Sequence, residues 1–164
     1  MKLKTILIAT LVIVLFSGCV SSISAPTSGP TASYTVEVEN FAPKRSLVNI
    51  ENVYFIVHTL DESWGGEQII KNDNPTYVST VPANKELTSI IKLMQGGGGF
   101  SSTCGAKFDL SLPANANLVA KLHFIRGKGT EVLGCSVLLY LDGKLFKTYE
   151  GGSNIIEYKV KWLY

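Results

Sequence analysis

The feature that most constrains this chain is a period of two in its hydrophobic residues. Ala106, Phe108, Leu110 and Leu112 alternate with Lys107, Asp109 and Ser111. Leu118, Ala120, Leu122 and Phe124 alternate with Val119, Lys121, His123 and Ile125, and Ile156, Tyr158, Val160, Trp162 and Tyr164 with Glu157, Lys159 and Lys161. Successive side chains of an extended strand point to opposite faces, so this pattern suits strands with one face buried. Residues 34–39, 51–59 and 75–81 read as three earlier strands. Residues 135–141 lead into Asp142-Gly143, the favoured central pair of a type I′ hairpin turn, and out through residues 144–149. Glu150-Gly-Gly-Ser153 reads as a turn into the last strand. Strands at this spacing predict an all-β chain, an antiparallel β-sandwich of about seven to eight strands.

Residues 84–95 carry a competing period. Leu87, Ile90, Ile91 and Met94 fall at i, i+3, i+4 and i+7, with Asn84 placed as an N-cap and Gly96 just past the end, which describes a short helix. Thr88 and Ile90-Ile91 suit a strand equally well.

The N-terminus reads as an address. Lys2 and Lys4 precede a 12-residue apolar run, residues 5–16. That is short of the roughly 20 residues a membrane-spanning helix needs and matches the core of a secretory signal. Leu15-Phe16-Ser17-Gly18-Cys19 resembles the bacterial lipobox, with Phe16 where leucine is usual. The resemblance implies that residues 1–18 are removed as a signal peptide and that Cys19 carries the lipid. Several acyl chains on one residue would hold the chain stably on a membrane of the cell envelope. In a Gram-negative cell, Val20 after the cysteine implies sorting to the outer membrane, facing the periplasm. Loss of Lys2 and Lys4 reduces 15 Lys+Arg to 13, equal to the 13 Asp+Glu, so the mature chain lacks the basic excess of a nucleic-acid binder. Residues 20–33 have no charge and abound in Ser, Thr and Pro. They read, with Cys19, as a flexible tether of about 20 Å root-mean-square span, leaving residues 34–164 as the β-sandwich domain.

Two cysteines remain. Cys104 is in phase with Ala106, Phe108, Leu110 and Leu112, and Cys135 with Val137, Leu139 and Leu141. Both point to apolar faces, and an exported chain permits a disulfide, so a structural Cys104–Cys135 bridge is expected. A redox-active pair would show C-x-x-C spacing, which is absent.

Few residues invite chemistry. The glycine run 96–99 lacks the Gly-Lys-Ser/Thr of a phosphate-binding loop, and no G-x-S-x-G or H-E-x-x-H occurs. His123 shares a strand face with Lys121 and should be exposed. His58-Thr-Leu-Asp-Glu-Ser-Trp64 gathers an imidazole, the carboxylates of Asp61 and Glu62, and the indole of Trp64 at a strand end. A metal site needs three or four converging ligands at recognisable spacing, so no metal, cofactor or catalytic residue is expected. The polar loop 58–67 and the glycine-rich loop 96–103, with Phe100, are instead the candidate partner contacts, since loops on a rigid scaffold commonly carry binding.

Val81-Pro-Ala-Asn-Lys-Glu-Leu-Thr88, the glycines ahead of Cys104-Gly105, Phe108, Pro113 and Cys135-Ser-Val137 are similar to features of a group of small bacterial lipoproteins with a β-sandwich body. The chain departs from that group at Leu118, where an aromatic is usual. The resemblance covers about half the chain, implies a strand over 84–95, and brings no activity with it. The resulting expectation is a non-catalytic, lipid-anchored envelope protein that docks another envelope protein, with inhibition of a cell-wall hydrolase as the alternative.

Overall fold

The computed structural model describes residues 22–42, 50–97, 100–128 and 132–152. It contains β1 (Thr31–Glu39), β2 (Ile50–Thr59), β3 (Gly65–Ile70), β4 (Thr76–Pro82), β5 (Glu86–Gly97), β6 (Phe100–Ser111), β7 (Asn117–Arg126), β8 (Val132–Leu141) and β9 (Lys144–Gly152). Five strands form one sheet in the order β4-β1-β7-β8-β9, and four form the other in the order β3-β2-β5-β6. The fold is an all-β sandwich, as the alternation predicts. Every pairing is antiparallel except β1 with β7, which lie parallel near the middle of the larger sheet.

The core follows from parity. Tyr34, Val36 and Val38 of β1 and Val53, Phe55 and Val57 of β2 are buried in one cluster, with the Tyr34 and Phe55 rings 4.9 Å apart, and Leu118, Ala120, Leu122 and Phe124 bury the inner side of β7. Burying these side chains between two sheets about 10 Å apart removes their apolar surface from water, the main term favouring the fold. Of residues 84–95, those from Glu86 onward are strand: Leu87, Ser89, Ile91 and Leu93 of the inner face are buried, Thr88 is buried as well through its bond to Asp109, and Met94 is exposed. The helical period depended on Ile90 and Met94, which lie on the outer face. Ser89, a polar residue on the inner face, concealed the period of two. It is accommodated because its hydroxyl lies 2.8 Å from the Tyr34 hydroxyl of the opposite sheet.

Four boundaries differ from expectation. β3 occupies residues assigned to the 58–67 loop, so that loop shrinks to a turn at residues 60–64. β5 and β6 pair as far as Gly97 and Phe100, which turns most of the 96–103 loop into hairpin arms. β9 continues through Glu150 to Gly152, where a turn was expected, because it stays paired with β8 to Gly134. Thr31, Ala32 and Ser33, assigned to the tether, open β1, and Ile23 further upstream is buried in the core cluster. The signal segment, Cys19 and the strand expected over residues 156–164 lie outside the described residues.

The turns behave as their residues require. Asp142 (φ 49°) and Gly143 (φ 79°) both take the left-handed conformation that a type I′ turn demands, between Leu141 and its partner Lys144. The Asp142 carboxylate accepts the Asn117 N–H at 2.9 Å, tying this turn to the start of β7.

Candidate functional site: the two ends of the sandwich

Topology divides the connections between two ends. At the entry end β1 begins, β2 turns into β3, β4 passes to β5, β6 to β7 and β8 to β9. Backbone bonds join these connections: Leu60 N–H to Glu86 O, Asn84 N–H to Leu112 O, and Asn115 N–H to Thr31 O. At the far end lie the β1–β2, β3–β4 and β7–β8 connections and the tip of the β5–β6 hairpin. β5 is 12 residues long, which separates the ends by about 35 Å.

The candidate contact residues therefore do not form one site. His58, Asp61, Glu62 and Trp64 are at the entry end, and Phe100, paired with Gly97, is at the far end. Within the entry-end group the chemistry is already committed. His58 Nδ1 lies 3.0 Å from the Thr59 carbonyl oxygen. The Asp61 carboxylate accepts the Ser63 hydroxyl at 2.8 Å and the Ser63 N–H at 3.1 Å. Bonds from Thr59 and then from Ser63 hold its pKa down to about 2. Among the described residues no hydrogen bond or ion pair joins His58 to Asp61 or Glu62, so the imidazole and carboxylates do not make an acid–base pair. Trp64 packs partly buried against the core, and its indole N–H donates to the Ser24 carbonyl at 2.9 Å.

At the far end the structure assembles a group that local spacing could not reveal. Glu51 is the second residue of β2 and Arg126 closes β7, in different sheets. The guanidinium takes the carboxylate in two bonds of 2.9 Å, with the Glu51 side chain 4% and the Arg126 side chain 17% exposed. Glu51 also accepts the Ala42 N–H at 2.8 Å and the Gln95 amide at 2.9 Å. Arg126 Nε donates to the Asn40 carbonyl at 2.8 Å, and the guanidinium lies over the Phe124 ring. The two residues are 75 positions apart in the chain. The group clamps the sheets and the beginning of the β1–β2 connection together. On the outside of the larger sheet, Lys121 meets Glu37 at 2.9 Å and His123 meets Glu39 at 3.4 Å, so His123 is surface-exposed as its phase predicts.

The disulfide has the predicted partners. Cys104 in β6 and Cys135 in β8 are buried and bonded, with Cα atoms 6.0 Å apart, and the bridge crosses from sheet to sheet. A cleft of about 490 Å³ opens between β6 and β9 toward the entry end, walled by Leu110, Leu112, Leu118, Leu139 and Phe146, with Glu86, Asp109 and Lys147 also lining it. Among the described residues no cluster of three or more His, Cys, Asp or Glu could hold a metal ion.

Compared with known proteins, the chain matches no family model, and no curated protein and no solved structure is found similar to it.

Proposed function

We propose that this chain is a lipid-anchored bacterial envelope protein whose body is a non-catalytic interaction module, presenting its far end to a protein partner. The observation that carries the reading is the opposition of the two ends. The chain that follows Cys19 enters at one end, and the glycine-rich β5–β6 hairpin closes the other, with a disulfide-stapled sandwich between. A rigid spacer with its attachment at one end and strand connections at the other suits docking. The far end also carries exposed Ile125 and Leu133 beside the β7–β8 connection, the apolar side chains a partner would cover.

Two measurements test this. Cys19→Ser should move the protein from the membrane to the soluble fraction; retention on the membrane would remove the anchor from the reading. The body from Ser22 onward, used as oxidised bait in envelope extract, should capture a partner that is lost when residues 97–100 are replaced by Asn-Gly. Starting at Ser22 keeps Ile23 in the core. If the captured protein is a cell-wall hydrolase inhibited at near-stoichiometric dose, the hairpin acts as an inhibitor's plug. No partner at micromolar bait would overturn docking at this end.

A further inference from the structure

The segment before β1 is strapped to the body. Ile23 is 9% exposed and belongs to the core cluster, the Ser24 carbonyl takes the Trp64 indole N–H at 2.9 Å, and the Pro30 carbonyl takes the Ala83 N–H at 2.9 Å. Cys19 precedes Ile23 by four positions, a span of at most about 14 Å for a fully extended chain. A lipid on Cys19 would therefore hold the entry end close to the bilayer, whereas a free tether running from Cys19 to Ser33 would have let the body swing at any orientation.

The entry end is equipped for that position. Leu60 at the β2–β3 turn is 51% exposed, and Leu145 and Phe146, just after the β8–β9 turn, are 57% and 48% exposed. The apolar cleft between β6 and β9 lies toward the same end. The charges at these turns are Asp61, Glu62, Glu86 and Asp142 against Lys85 and Lys144, with no basic excess to attract anionic headgroups.

We propose that the entry end is a lipid-contacting surface: the body stands on a zwitterionic bilayer through the β2–β3 and β8–β9 turns, with the far end directed away from the membrane. The inference rests on the lipid-anchored reading of Cys19 and adds the orientation and the surface that meets the lipid. Leu60 and Ile50 sit at opposite ends of β2, about 30 Å apart, and both are exposed.

The test uses the full acylated protein in phosphatidylcholine vesicles doped with headgroup-nitroxide lipid, carrying one fluorophore on Leu60→Cys or on Ile50→Cys. Labelling is done without reductant, so that the Cys104–Cys135 bridge persists. The probe at position 60 should be quenched several-fold more than the probe at position 50, and phosphatidylglycerol should not increase the difference. Equal quenching at the two positions on protein that co-floats with vesicles would overturn the orientation while leaving the anchor intact. Acylated protein that stays out of the vesicle fraction would overturn the anchored reading, and this inference with it. In Trp64→Phe, which removes the bond to Ser24, quenching at position 60 should fall; if it does not, the strap does not set the orientation.

Discussion

Glu51 shows how much one buried charge can commit a structure. Its carboxylate is almost wholly removed from water and survives there because Arg126, Gln95 and the Ala42 N–H supply every bond it needs. Removing the cation leaves that charge uncompensated, so Arg126→Met should cost about 3–5 kcal/mol in urea unfolding. The double variant Glu51→Met/Arg126→Met should cost less than Arg126→Met alone, because no orphaned charge remains. Tyr34 is a second buried polar residue, and its environment makes stability depend on pH. Burial pushes its phenol well above the usual tyrosine range, and the Ser89 hydroxyl only partly offsets this. A raised pKa means that the contribution is complete below about pH 10, the unfolded value, and is lost as pH rises above it. The urea midpoint should therefore fall between pH 9 and pH 11, and Tyr34→Phe should show a smaller fall over the same interval.

At the scale of the element, β5 and β6 are held at a spacing that excludes a side chain at one point. A Cβ on Gly105 would overlap the Ile91 carbonyl oxygen and come within 2.7 Å of the Lys92 Cα in the neighbouring strand. Gly105→Ala should cost about 1–3 kcal/mol by thermal or urea unfolding, as overpacking does. Gly96→Ala, where a Cβ would meet nothing within 4 Å, serves as the control and should cost far less. Comparison of β7, β5 and β3 shows why elements differ in legibility. β7 was readable because its inner face holds Leu118, Ala120, Leu122 and Phe124 and nothing polar. β5 was ambiguous because Ser89 interrupts its inner face, and the residue that accepts this, Tyr34, lies 55 positions away. β3 escaped notice altogether: Gly-Gly-Glu-Gln-Ile-Ile has only Ile70 fully buried, and the strand exists because β2 offers its edge.

At the scale of the whole molecule, the Tyr34–Ser89 bond, the Glu51–Arg126 clamp and the Cys104–Cys135 bridge tie one sheet to the other at different places among the described residues. The bridge closes a loop with a sequence separation of 31, for which chain entropy gives about 3–4 kcal/mol. Cys104→Ser/Cys135→Ser should lower unfolding stability by about that amount. The oxidised body should have an intact mass two hydrogens below that of its reduced form. Thiol labelling of the native protein at either position would overturn the bridge.

Parity along single strands determined the fold class and the inner faces of most strands, and the Asp142-Gly143 pair determined its own turn, since each depends on neighbours within a few residues; the cysteine pairing, across a separation of 31, was legible because two cysteines remain after Cys19 and both point to apolar faces. The candidate contacts were chosen by the same local logic, and the topology then set His58, Asp61, Glu62 and Trp64 at one end and Phe100 at the other. Which end a loop occupies depends on the direction of every strand before it. Burial of Ile23 in a segment that reads as a linker depends on Trp64 and the core, far along the chain. Likewise the Glu51–Arg126 clamp requires two sheets to close on each other. Such pairings are properties of the assembled sandwich, because their favourable contacts appear only after the loop entropy between distant residues has been overcome.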